Sequence, residues 1–222
     1  MIRKFILPFF LVFVTACSSL VPGAELNIDL VIRDFVPFEE NSFFRFGMNE
    51  GNFGYTEDFV IHTSENRFQI VSELEVHYFM ERGYTDELIT AIATSVYEIA
   101  DGEFRRIFSV SSDDAIEEDI TDIDNTDDII LVFLQEPLIL GHSWHFGVDG
   151  GISEITRVNE VVETPLGIFE DVMQVTTSFP YPHNEIYYIS YYAPGYGRIK
   201  TVEIDGRISD SPITNFLISI TS

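Results

Sequence analysis

Residues 67–76, Arg67-Phe-Gln-Ile-Val-Ser-Glu-Leu-Glu-Val76, alternate with a period of two. Phe68, Ile70, Ser72, Leu74 and Val76 share one face, while Arg67, Gln69, Val71, Glu73 and Glu75 share the other. Successive side chains of a strand point to opposite sides of its sheet. The segment therefore predicts a strand with one buried face and one wet face. The same signature recurs on either side of it. Ser42–Phe46 and Phe59–Thr63 read as earlier strands, with turn signals at Asn49-Glu-Gly-Asn52 and Ser64-Glu-Asn66.

Downstream, Thr90–Ala100 leads into Asp101-Gly102, a strong two-residue hairpin signal, and Glu103–Val110 returns. The Ala and Ile content of Leu88–Ala100 also allows a helix; Thr90, Thr94, Val96 and Tyr97 weigh against it. The C-terminal half repeats the pattern with strands at 144–148, 152–163, 169–177, 187–192, 198–204 and 213–220. Short turns between consecutive strands make antiparallel neighbours. About eleven strands are too many for a flat open sheet. The expected fold is all-β: a single antiparallel, strongly curved meander of about 10–12 strands, a half-barrel or open barrel. Its concave apolar face then needs a cover, either one short helix or a loop.

The 222 residues carry 37 acids against 12 bases, a net charge of -25 with a pI near 4.2. Phosphate binding relies on clustered Lys and Arg, and the only adjacent basic pair beyond residue 4 is Arg105-Arg106. Nucleic acid is excluded as a main partner. With 45% hydrophobic residues, 20 Phe and 10 Tyr, the chain still has ample material for a core.

The N-terminus is distinct. Arg3 and Lys4 precede a run from Phe5 to Val14 that is apolar apart from Pro8, and Thr15-Ala16-Cys17 closes it. Ten residues span only about 15 Å as a helix, half of the hydrocarbon core, so the run suits a secretory signal rather than a membrane span. Val14-Thr-Ala-Cys17 resembles the lipobox of bacterial lipoproteins. That resemblance implies cleavage before Cys17 and acylation of its sulfur, which leaves the mature chain at -27 because only Arg3 and Lys4 are lost. The expected organisation is a signal at 1–16, a lipidated terminus and linker at 17–35, and one β domain at 36–222 with an acidic loop at about 111–128. The expected location is extracytoplasmic: the outer face of the cytoplasmic membrane, or the outer membrane of a two-membraned host.

Three motifs stand in order: Gly141-His-Ser-Trp144, then Val161-Val-Glu-Thr-Pro165-Leu-Gly167-Ile-Phe-Glu-Asp-Val172, then Tyr191-Tyr-Ala-Pro-Gly195-Tyr-Gly197-Arg-Ile-Lys200. Together they resemble a family of uncharacterised bacterial surface lipoproteins common in Gram-positive lineages. The family's pattern runs G-x-x-W, V-x-T-P-A-G-T-F-x-D-V and Y-Y-A-x-G-V-G-L-V-K. Leu166, Ile168, Tyr196 and Arg198 depart from it. The resemblance implies location and a curved sheet of the lipoprotein-carrier kind, and brings no activity. Structurally, Pro165 and Gly167 suit a turn, Gly195 and Gly197 a tight connection, and Trp144 a cap on the core.

Candidate chemistry is sparse. Asp113 to Asp128 holds nine acids in sixteen residues and no base, which predicts a solvated acidic loop. Asp122, Asp124 and Asp127 supply oxygens of the kind that Ca²⁺ takes, and weak Ca²⁺ binding is the one metal expectation. The loop is no EF-hand, since from Asp122 the sixth and twelfth positions are Asp127 and Phe133. His142 and His145, three apart, fall on opposite faces of a strand. No nucleophile-elbow, zinc-protease or phosphate-loop motif is present. The chain is expected to be no enzyme, with no cofactor beyond the lipid on Cys17. Its expected role is non-catalytic binding or accessory work in the envelope, with an amphiphile, glycan or protein as ligand on the concave face. The rival expectation is a purely structural acidic surface lipoprotein. Of the tyrosines at 187–192, one of each adjacent pair is expected in the core and the other outside.

Overall fold

The computed structural model describes residues 30–48, 54–80, 83–123, 130–148, 150–180, 186–205 and 212–221, with 76–80, 83–89 and 205 by backbone alone. Cys17, Asp124 and Asp127 lie outside the described residues. Twelve strands follow one another: β1 (Phe43–Met48), β2 (Gly54–Thr63), β3 (Arg67–Met80), β4 (Gly83–Ala100), β5 (Glu103–Ser112), β6 (Leu131–Gln135), β7 (Ser143–His145), β8 (Ile152–Thr164), β9 (Gly167–Phe179), β10 (Ile186–Ala193), β11 (Gly197–Asp205) and β12 (Ile213–Thr221). The ambiguous stretch at 88–100 is strand throughout, part of the 18-residue β4. Its turn residues, Asp101 and Gly102, both have positive φ, 56° and 74°, as the hairpin signal requires.

All twelve strands form one antiparallel sheet in the order β6-β5-β4-β3-β2-β1-β12-β11-β10-β9-β8-β7. The two edges, β6 and β7, are neighbours in sequence, so the meander curls into a nearly closed barrel with a single seam. The seam is stitched rather than paired. The Val132 N–H donates to the Phe146 carbonyl at 2.8 Å, and the Trp144 Nε1–H donates to the Val132 carbonyl at 2.9 Å. Trp144 is 5% exposed, so it caps the core as its sequence position suggested and also joins the barrel's two edges. β6 carries no strand signal in the sequence reading, because its five residues, Leu-Val-Phe-Leu-Gln, are too apolar to alternate.

Cross-strand registers fix which face is inside. Phe68 lies opposite Tyr97, Asp58 opposite Phe44, and Phe46 opposite Leu217, all on the inner side. Gln69 lies opposite Val96 and Val71 opposite Thr94 on the outer side. That outer side is not wet. Gln69, Thr94 and Val96 are 0% exposed, with Val71 at 5%. The cover is the acidic connection. Residues 113–123 cross the outer face of β3 and β4 as a strap, held by its backbone. Gln69 Nε2 donates to the carbonyls of Ile116 (2.8 Å) and Glu118 (3.0 Å), and Gln69 Oε1 accepts from the Ile120 N–H at 2.9 Å. The Ile116 N–H donates to Thr94 Oγ1, and Arg67 Nη1 donates to the carbonyls of Thr121 and Ile123, each at 3.0 Å.

Over the described residues 113–123 the acidic loop is solvated at its carboxylates but held to the sheet by its backbone. The physical reason is a division of labour: the strap's carboxylates point to water while its peptide groups meet the sheet. Arg67 also pairs with Glu98 at 2.9 Å, and Arg105 holds the same carboxylate at 2.7 Å. Burial opposes ionisation of Glu98, but the hydrogen bonds from Arg105 and Arg67 outweigh it and lower its pKa.

The linker expected at 17–35 also ends earlier than its assigned boundary. A 3-10 turn at Ile32–Phe35 packs into the barrel, with Ile32 and Phe35 1% exposed and Val36 2%. The turn is fixed to the β10–β11 hairpin, where the Gly195 N–H donates to the Asp34 carbonyl at 2.7 Å. Gly197, at φ 73°, lets this segment come close, since a Cβ there would stand 2.9 Å from Pro37 Cδ. Phe38 follows the turn into an aromatic cage, its ring 5.5 Å from both Phe44 and Phe68 and 5.9 Å from Phe104. Residues 30–38 are thus the short element that covers one end of the concave face.

Candidate functional site

Beyond the plug the barrel interior is not full. Two cavities share Phe133, Tyr192 and Arg198 as walls. The smaller, about 60 Å³, lies against Phe35, Phe38, Asp58 and Tyr97. The larger, about 230 Å³, is walled by Phe133, Phe146, Val175, Phe179, Tyr188 and Tyr192. Three edge-to-face contacts tie four of its rings into a row: Phe133–Phe146 at 5.5 Å, then Phe146–Phe179 and Phe179–Tyr188 at 5.8 Å each. Such pairs contribute roughly 0.5–1.5 kcal/mol each beyond area burial, so the wall is stiff. Gly151 permits it, because a Cβ there would meet the Phe179 ring at 2.7 Å.

Charge enters this apolar space at two points. Asp58, on β2, accepts a hydrogen bond from Ser72 Oγ at 2.6 Å. Burial pushes its pKa up against the opposing pull of that hydrogen bond and of Arg198. Arg198 sits on β11 opposite Tyr192, next to a bulge that turns it inward. Its guanidinium carbon is 5.2 Å from the centroid of the Phe46 ring, a cation–π distance. It is solvent-accessible, and among the described residues no carboxylate lies within the 4.0 Å of an ion pair. Tyr97 and Tyr192 have raised pKa values, chiefly through burial, and stay protonated as hydrogen-bond donors.

Asp58 yields a pH prediction. A carboxyl whose pKa is raised on folding favours the folded state most below its unfolded value near 3.8, and that contribution is lost as pH rises through the folded pKa. Asp58→Asn keeps the acceptor for Ser72 and removes the charge. The variant is expected to melt above the wild type at pH 7.5, with the gap closing as pH falls to 3.8 and below. Calorimetry across that range checks it; an equal gap at all pH values would show that the charge of Asp58 is not what costs stability.

No protein-family model matches this chain, and no curated protein does. Two solved structures are similar to it. One is a provisionally named exported protein with a YmcC-like fold from Bacteroides fragilis, 14% identical, with a TM-score of 0.46 over 84% of this chain and 98% of that one. The other is a provisionally named lipoprotein from Parabacteroides distasonis, 13% identical, with a TM-score of 0.40 over 82% and 96%.

The residues singled out in the sequence fall in several places. Asp122 lies on the strap and is exposed, and among the described residues no group of three His, Cys, Asp or Glu side chains is placed to hold a metal ion. His142 stacks on Trp144 at 5.7 Å and His145 is exposed, at the seam edge and away from the cavities. Pro165 and Gly167 form the β8–β9 turn, and Gly195 and Gly197 the β10–β11 turn against the plug. Of the tyrosines at 187–192, Tyr188 and Tyr192 line the cavity and only Tyr192 is fully buried, while Tyr191 lies half-buried under Lys200 Nζ at 5.2 Å, so the expected split into one core and one exposed member per pair is not seen. Sequence reasoning missed Asp58 and Arg198 as interior charges. The signal for Arg198 was present in the sequence as a base directly after Gly197, at the start of the strand-like run 198–204.

Proposed function

We propose that the mature chain is an extracytoplasmic protein anchored by lipid on Cys17, and that it binds a small anionic amphiphile inside its barrel without chemical conversion. The observation that carries this reading is Arg198: an accessible guanidinium, unpaired by carboxylate among the described residues, at a cavity whose other walls are five aromatic rings, Val175 and the small hydroxyl side chains of Thr177, Ser190 and Thr201. In a chain of net charge -25, a cation turned inward suits a carboxylate or sulfate head whose apolar tail lies along Phe133, Phe146 and Phe179. The cavity's size favours a short tail. At about 230 Å³ it falls below the roughly 300–1,000 Å³ of sites for drug-sized ligands. The same smallness supports the second reading, a structural surface lipoprotein whose charge keeps the surface hydrated.

Thermal denaturation with octanoate, decanoate and octyl sulfate separates the two. Ligand at a hundredfold excess over its Kd stabilises by about 2.7 kcal/mol, which raises Tm by several degrees. The wild type is expected to shift and Arg198→Glu is not. Equal shifts, or none in either protein, would leave the structural reading. Anchoring is tested separately: Cys17→Ser is expected to move the protein from the membrane fraction into the medium, and retention would overturn the anchor.

A further inference from the structure

The plugged end of the barrel carries a surface that the proposed binding site does not use. The β8–β9 and β10–β11 hairpin tips lie side by side there and enclose a shallow groove lined by Leu166, Ile168, Phe169, Pro194, Tyr196 and Ile220. Ile168 is 70% exposed, Tyr196 43% and Leu166 37%, although each has the bulk of a core residue. Phe169 and Tyr196 pack edge to face at 4.9 Å across the two hairpins, so the groove is a built surface and not two independent loops. Isolated exposed apolar side chains are ordinary, but a contiguous set marks an interaction site.

What covers it follows from where the rest of the chain lies. The N-terminal segment joins the domain at this end, with the Asp34 carbonyl bonded to Gly195 in the very hairpin that presents Tyr196. Residues 18–29 can bridge at most about 40 Å between Cys17 and the domain at 3.3–3.6 Å per residue. A lipid on Cys17 therefore keeps these tips, and not the opposite end, next to the bilayer. We infer that the two hairpin tips dock in the interfacial layer of the membrane, with Leu166, Ile168 and Tyr196 inserted among the lipid head groups. Tyr196 suits that layer, being apolar in body and polar at its tip. Docked in this way, the barrel points its plugged end at the membrane and its larger cavity away from it. The inference rests on the anchor proposed above.

Flanking acids set the lipid preference. Glu163 lies opposite Ile168 in the hairpin and Glu170 lines the groove, so anionic lipid is repelled within a Debye length of about 10 Å. Docking is expected to be strongest on neutral phosphatidylcholine.

The test uses the full chain, processed and reconstituted into phosphatidylcholine vesicles. With Cys17 acylated, Ile168→Cys and Val148→Cys each offer one thiol, at opposite ends of the barrel and both exposed. Each is labelled with an environment-sensitive fluorophore, and the vesicles carry a spin-labelled lipid as quencher. Emission from position 168 is expected to fall at least twofold and that from position 148 to stay unchanged. Equal quenching at both positions, or none at 168, overturns the docking. A blue shift at 168 without quenching means that a second copy covers the tips, and overturns it too. The anchor fails in a different way. If Cys17→Ser sediments with vesicles as the acylated chain does, the tether reading falls while the quenching still decides the tips. A chain that never sediments overturns both.

Discussion

Gln69→Leu is expected to lower the unfolding free energy by about 3 kcal/mol and to free the acidic strap from the sheet. The estimate follows from three bonds made by one fully buried carboxamide, to the carbonyls of Ile116 and Glu118 and from the N–H of Ile120. Leucine matches the volume and satisfies none of the three. A buried polar group left without a partner costs about 1–3 kcal/mol. The strap can relieve part of that by lifting into water, but it then uncovers Val71 and Val96, which it otherwise buries. Asp113, Asp114, Glu117, Glu118 and Asp119 repel one another and favour the lifted state, so the defect is expected to shrink in high salt, where repulsion is screened. Urea unfolding measures the loss, and cleavage by a protease specific for acidic residues at 113–119 reports the lifting. Unchanged stability together with unchanged cleavage would mean that something other than Gln69 holds the strap.

The same residue shows what alternation reveals and what it hides. The period of two at 67–76 correctly placed Phe68 and Ile70 inside and Gln69 and Val71 outside. It could not show that a segment nearly fifty residues later returns to bury the outer row. A strap with six acids in eleven residues has the composition of a solvated loop, and its contacts are made by peptide groups, which composition does not encode. The Asp101-Gly102 turn was legible because positive φ at two successive residues demands that residue pair. β6 was not, because four consecutive apolar residues, Leu131 to Leu134, read equally as strand or buried loop. Its place is fixed by the partner across the seam, Trp144, whose nitrogen finds the Val132 carbonyl. The candidate site was the least legible part. Asp58 and Arg198 are 140 residues apart, and the closing of the sheet, not any local pattern, turns them toward one interior.

Phe35→Ala is expected to have the larger effect, a loss of about 3–5 kcal/mol, the usual range for removing a buried phenylalanine. For a domain of this size that lowers Tm by roughly 6–20 °C. Phe35 is 1% exposed at the heart of the plug, and Ile32 and Val36 are buried with it. Truncation leaves a void that this short 3-10 turn has little means to close, since it is tied to the sheet mainly by the Gly195–Asp34 bond and by the close fit at Gly197. The turn is therefore expected to leave the barrel as a unit. Once it does, residues 30–41 would lengthen the proposed tether by up to about 40 Å. The aromatic cage around Phe38 opens at the same end, so an apolar dye should gain fluorescence with the variant well below its melting temperature. Val31→Ala, one residue before the turn and 49% exposed, supplies the control and is expected to change stability by less than about 0.5 kcal/mol. If Phe35→Ala and Val31→Ala melted together, residues 30–38 would be an extension lying on the barrel and no part of its core. On the anchoring and docking proposed above, the plug bears on function as well: hairpin tips held at a bilayer through a short, packed segment would lose that orientation when the segment unpacks.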